Sequence, residues 1–150
     1  MLEVKGEMIM QAVLNATDVR KNWSEFIDGV VQQNKPQFVS RNNKEPFLSL
    51  NIHQAKMVFS TYTFTLKYVL EDDDSITAEL KDFDLFVNSE SKEAAIRDLA
   101  IELIEYAQDY SDNIQLYYNA PNRRAHFPFI MNVLLQDDLD GVIRLIHADI

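Results

Sequence analysis

Few side chains in this sequence have the chemistry to act on a substrate, and their spacing narrows the options further. The histidines His53, His126 and His147 lie far apart and form no HExxH. Each reads as surface or as polar filler in a core. The carboxylates of Glu71-Asp72-Asp73-Asp74 suit a hard cation, but the run lacks the ligand spacing and the glycine of an EF-hand loop. A hairpin tip explains it better. Asp137-Asp138-x-Asp140 has the acidic first turn that a helix N-terminus favours. With no cysteine, thiolate zinc sites, iron–sulfur clusters, disulfides and a cysteine nucleophile are excluded. The glycines Gly6, Gly29 and Gly141 are isolated, so neither a glycine-rich phosphate cradle nor a GxSxG elbow can be written. No catalytic residue, cofactor or metal is therefore expected. What remains is basic: Arg20, Lys21, Arg41 and Lys44, with Asn22 and Asn43 beside them. Arginine can fork onto guanine edges or phosphates. Arg123-Arg124 reads either as a surface pair at a helix start or as a pair reaching a phosphate.

The whole chain frames these residues. It has 150 residues, 47% apolar and 25% charged, which suits one ordinary soluble domain or two small ones. The net charge of −10 is unevenly spread: residues 1–60 carry +1 and residues 61–150 carry −11. Such asymmetry points to two jobs with differently charged partners. No apolar run reaches membrane-helix length and no signal peptide is visible, so no membrane partner and a cytoplasmic location are expected.

The elements that must position the basic residues follow from periodicity. Met8–Asn15 has strand length and character. Thr17 is the expected N-cap of a single helix carrying Val19, Trp23, Phe26, Ile27, Val30 and Val31 on one stripe. Asn34-Lys35-Pro36 stops it. Gln37–Ser40 and Pro46–Leu50 form a hairpin around Arg41–Glu45, and Asn51 can cap a further helix. The first unit is thus β-α-β-β-α. In the second, Tyr62–Leu70 and Ile76–Leu80 alternate as strands, Phe83–Val87 is a third strand, and Ser91 caps a long helix. Pro128–Gln136 and Asp138–His147 read as two more helices. Phe127–Leu135 is either core or the groove-filling face of a partner-binding helix.

Thr17-Asp18-Val19-Arg20-Lys21-Asn22-Trp23, followed by Ser40-Arg41-Asn42-Asn43-Lys44-Glu45-Pro46-Phe47-Leu48-Ser49-Leu50, resembles the Phd/YefM family of antitoxin DNA-binding domains. The shared features are an acidic-x-Arg-x-Asn helix opening, an arginine closing the second strand, and an apolar third strand ending in serine. The resemblance covers about residues 8–59 and implies a homodimer that binds operator DNA. Arg20 and Arg41 would make the main contacts, with Lys21, Asn22, Asn43 and Lys44 beside them. The family's turn often holds a glycine, which is missing here; asparagine tolerates the positive φ it would supply. Family members usually end in a short toxin-binding tail, whereas here a folded region of about 90 residues follows. With its strand pair, Ala78-Glu79-Leu80-Lys81-Asp82-Phe83 segment and helix led by Ser91, that region is loosely similar to HicB-like domains, without their Pro-Gly-Cys feature.

The expectation is an α+β protein in two parts. Residues 1–60 form a Phd/YefM-like β-α-β-β-α DNA-binding and dimerisation domain, and residues 61–150 an acidic, loosely HicB-like α+β toxin-binding domain. As a RelB-type, non-enzymatic antitoxin of a type II toxin–antitoxin system, it would neutralise a basic, RelE-like RNase toxin and repress its own operon. The alternative is a DNA-binding transcriptional regulator whose second domain binds a ligand or dimerises.

Overall fold

The computed structural model describes residues 2–4, 7–9 and 12–149. The chain is an α+β protein of two compact units, Met1–Met57 and Val58–Ile150.

In the first unit, β1 (Leu2–Val4) and β2 (Glu7–Ile9) pair antiparallel. β3 (Val13–Asn15) joins a different sheet, running parallel to β4 (Gln37–Ser40), which pairs antiparallel with β5 (Phe47–Ser49). The single strand expected over Met8–Asn15 is therefore two strands with different neighbours; Met10 and Gln11 lie outside the described residues. The helix N-cap is Asn15, not Thr17: Asn15 Oδ1 accepts from the Thr17 amide at 2.8 Å. The expected single helix is also broken. α1 (Ala16–Lys21) ends at Asn22, whose φ of −117° and ψ of 43° leave the helical region before α2 (Trp23–Val31) begins. Asn34, at φ 55°, then turns the chain toward Pro36.

Asn51 caps α3 (Ile52–Phe59) as its sequence position suggests. Its Oδ1 accepts from the Gln54 amide at 2.9 Å, and Gln54 Oε1 accepts from the Asn51 amide at 3.2 Å. The buried Asn51 side chain also donates through Nδ2 to the Val30 carbonyl at 3.0 Å and to Asn34 Oδ1 at 2.9 Å, fastening the end of α2 to the start of α3.

The second unit is a four-stranded sheet with helices. β6 (Phe64–Leu70), β7 (Ile76–Leu80) and β8 (Leu85–Ser89) form an antiparallel meander, and β9 (Ile146–Ala148) adds parallel to β6, giving the order β8-β7-β6-β9. Ser91 Oγ accepts from the Ala94 amide at 3.1 Å and starts α4 (Lys92–Asp112). α4 buries Ala95, Leu99, Ala100, Leu103, Ala107 and Tyr110, its alanines giving close approach to the sheet. They pack with Phe64, Leu66, Ala78 and Leu80, and fully buried leucines contribute roughly 1.5–3 kcal/mol each. α5 (Ile114–Tyr118), a 3-10 turn at Arg124–His126, α6 (Phe127–Leu134) and α7 (Leu139–Ile143) complete the unit.

Two expectations are corrected here. Phe83 is not in a strand: Asp82 (φ 71°) and Asp84 (φ 52°) hold a left-handed turn that drops its ring into the core. Asp138 does cap a helix, accepting from the Gly141 amide at 2.8 Å, but the helix stops at Ile143 and His147 lies in β9. Pairing of β9 with β6 overrides local helical periodicity.

Candidate nucleic-acid interface

Parallel pairing of β3 and β4, with Asn15 opposite Ser40, brings both strands to an end at the same edge of the sheet. There the chain enters α1 after Asn15 and the β4–β5 turn after Ser40. The first helix and the basic turn therefore spring from one side. Within the turn, Asn42 (φ 53°) and Asn43 (φ 56°) both occupy the left-handed region, the condition for a type I′ hairpin turn. The Lys44 amide donates to the Arg41 carbonyl at 3.1 Å, and Ser40 Oγ donates to the Lys44 carbonyl at 2.7 Å. Asparagine thus supplies what glycine would.

Arg20, Lys21, Arg41 and Lys44 are all exposed, and their side-chain cations have no hydrogen-bond or ion-pair partner among the described residues. Arg20 borders a shallow apolar groove of about 210 Å³ with Ala16, Val19, Trp23, Val39 and Phe47. That groove gives its aliphatic stem a surface to lie on while the guanidinium reaches water. The two asparagines have local tasks. Asn22 Nδ2 donates to the Asp18 carbonyl at 3.1 Å at the break between α1 and α2, and Asn43 shapes the turn. Asp18 and Glu25 line a second cleft of about 330 Å³ with Lys35.

The same unit leaves much apolar surface uncovered. Its buried hydrophobic core among the described residues is Val19, Val30 and Val39, while Trp23 (55% exposed), Ile27 and Val31 repeat every fourth residue along α2. Val13, Leu14, Phe47, Leu48, Ile52 and Met57 are exposed as well.

The second unit holds a buried polar relay around His126, with no motif in the sequence to announce it. His126 Nε2–H donates to the Asp82 carbonyl at 3.0 Å, which leaves Nδ1 to accept from Tyr106 Oη–H at 2.7 Å. Tyr106 Oη accepts in turn from Arg123 Nη1 at 3.2 Å. Burial pushes the His126 pKa below its ordinary 6.5 and raises that of Tyr106. Arg123 and Arg124 are thereby placed: Arg124 Nε donates to the Tyr118 carbonyl at 2.8 Å. Both arginines also sit over tyrosine rings. Beside His126 runs an open cleft of about 550 Å³ lined by Thr63, Thr65, Lys81, Asn122 and Phe129, among others.

The acidic tip Glu71–Asp74 is a hairpin turn. Asp73 Oδ1 accepts from both the amide and the hydroxyl of Ser75, which lowers the Asp73 pKa. Among the described residues, no three His, Asp or Glu side chains are placed to hold a metal ion, and no helix is long and apolar enough to cross a membrane. α6 is core on one face, where Ile130 and Val133 are buried, while Leu134 is exposed.

Comparison with known proteins places the chain. A family model described as "PHD_like: Antitoxin of toxin-antitoxin, RelE / RelB, TA system" matches residues 10–148, spanning both units. A crystal structure from Syntrophomonas wolfei subsp. wolfei, assigned as the antitoxin part of a toxin/antitoxin system, superimposes with a TM-score of 0.87. It is 38% identical, over 93% of this chain and 99% of that one. No curated protein matches the sequence. The chain belongs to the PHD_like family of RelE/RelB toxin–antitoxin antitoxins.

Proposed function

We propose that this antitoxin acts through two units with separate partners. The first is a Phd/YefM-type domain that dimerises, binds operator DNA and represses its own operon. The second, loosely HicB-like, covers a basic RelE-like RNase toxin. On this reading the protein is a non-enzymatic binder that works in the cytoplasm.

The observation that carries the DNA-binding part is four exposed cations, unpaired among the described residues, on α1 and the β4–β5 turn, elements that leave the same end of one sheet. Unpaired cations can release counterions from DNA without first breaking an internal ion pair. Arg20 and Arg41 make the principal contacts, Lys21 and Lys44 add phosphate contacts, and Asn22 and Asn43 hold the backbone that aims them. A second copy doubles this small set of charges. The toxin-binding part is supported by the charge of −11 on residues 61–150, which suits a basic partner.

The test uses the full chain and a DNA fragment from upstream of its own gene. Arg20→Ala and Arg41→Ala each weaken binding by about tenfold or more and reduce the salt slope by about one unit. Unchanged affinity in the double variant would overturn the site. For the second unit, a basic RelE-like protein encoded by a neighbouring gene and co-purifying with this chain is expected; absence of such a neighbour, or failure to co-purify, removes the toxin-binding role.

A further inference from the structure

Resting on the toxin-binding reading, we infer that β8 and the carboxylate row of α4 together form a docking strip. It takes an extended, basic segment of the cognate toxin as an added strand.

Three observations meet at this place. First, β8 is an open sheet edge: among the described residues it pairs with β7 on one side only. Its sequence, Leu-Phe-Val-Asn-Ser, carries neither the proline nor the lysine that usually blunts an edge, and Phe86 is 61% exposed. An edge of this kind is a ready template for another strand.

Second, acidic residues recur along α4 at Asp98, Glu102, Glu105, Asp109 and Asp112, spaced four and three apart, so they share one helix face. No lysine or arginine interrupts them after Arg97. Asp98 and Asp109 bond within the protein, to Ser89 and to Asn113 and Tyr117. Glu102, Glu105 and Asp112 are exposed and have no such partner among the described residues.

Third, the row runs alongside the edge. Asp98 Oδ2 accepts from Ser89 Oγ at 2.6 Å, fixing the end of β8 beside the first half of α4. At the other end of β8, Asp84 lies close enough to Tyr106 and Arg123 to perturb both electrostatically. Glu102 falls between these anchors, and Asp82, Asp84 and Glu90 flank the strand itself.

Charge selects the occupant. A second copy of this chain pairing β8 to β8 would set carboxylate row against carboxylate row. RNA would meet the same repulsion. A strand bearing lysine or arginine gains main-chain hydrogen bonds from the edge and Coulomb attraction from α4 at once. Phe86 gives such a strand one apolar neighbour.

The test takes the full chain and the RelE-like toxin expected from a neighbouring gene. Hydrogen–deuterium exchange on the free chain and on the complex should show new protection over residues 85–89. Glu102→Lys with Glu105→Lys, at exposed positions that suit lysine in a helix, should weaken the complex by about tenfold or more and flatten its salt dependence. The thermal unfolding of the variant should match the parent. Protection confined to other segments, or unchanged affinity in the double variant, overturns the strip while the toxin-binding reading stands. Protection of residues 85–89 in the free chain that grows with concentration overturns it in favour of self-pairing. If no complex forms with the parent chain, the toxin-binding reading itself has failed.

Discussion

His126 shows how one buried group couples local geometry to solution conditions. Its Nε2–H is spent on the Asp82 carbonyl and its Nδ1 on the Tyr106 hydroxyl, so the neutral ring satisfies both sites and a second proton would break the Tyr106 bond. Burial lowers its folded pKa below the unfolded 6.5. Below that pH the unfolded chain therefore binds more protons than the folded one. The contribution of His126 is full above about pH 6.5 and is lost as pH falls from there through the lowered folded value. Chemical unfolding of the second unit at a series of pH values checks this. The parent should lose stability across that window, and His126→Leu should lose the part due to this ring. An equal loss in the variant sinks the assignment. Arg20 and Arg41 of the proposed interface have the opposite character: exposed and unpartnered among the described residues, they should leave stability unchanged when replaced and alter only binding.

Among the elements, α2 and α3 depend on Asn51, which caps one helix and closes the other. Asn51→Ala removes the cap and leaves the buried Val30 carbonyl without that partner, and should cost about 2–3 kcal/mol. Trp23 is the single tryptophan and lies in this unit, so its fluorescence during urea unfolding reports the change. A loss below about 0.5 kcal/mol would refute the role given to Asn51. Much of this layout is legible in the sequence. Asn51, Ser91 and Asp138 stand where capping residues should, and they cap. The paired asparagines take the positive φ that the short turn demands. Other features are not local. Asn15 and Thr17 are both good caps two residues apart, and composition cannot choose between them. Apolar residues keep helical spacing straight through Asn22, which hides the break. Phe83 reads as strand because strand and turn place a phenylalanine equally well in a core, and only the φ of its two aspartate neighbours separates them. The cations of the candidate interface are plain in the sequence, but their gathering at one sheet edge depends on parallel pairing of strands separated by two helices.

For the whole molecule, the first unit exposes much apolar surface as a single copy. Among the described residues three valines make up its buried hydrophobic side chains, while a tryptophan and two aliphatic side chains line the outer face of α2. Units of this size bury a small share of their surface and commonly need a partner or a staple, and this chain has no cysteine. The full chain should sediment as a dimer at micromolar concentration. Ile27→Glu should shift it to monomer and weaken operator binding with it. A monomeric parent would end the dimer reading and, with it, the doubling of the interface charges. The second unit closes differently. β6, one of its two inner strands, pairs Leu66 with the nearby Leu80 on one side, but on the other pairs Phe64 with Ile146. During synthesis, the ribosome must therefore deliver nearly the whole chain before that sheet can be completed, whereas everything in the first unit has already emerged. On the proposed division of roles, the DNA-binding unit would be ready early in translation and the toxin-binding unit last, so a prematurely terminated chain would keep the means to silence the operon without the means to restrain its product.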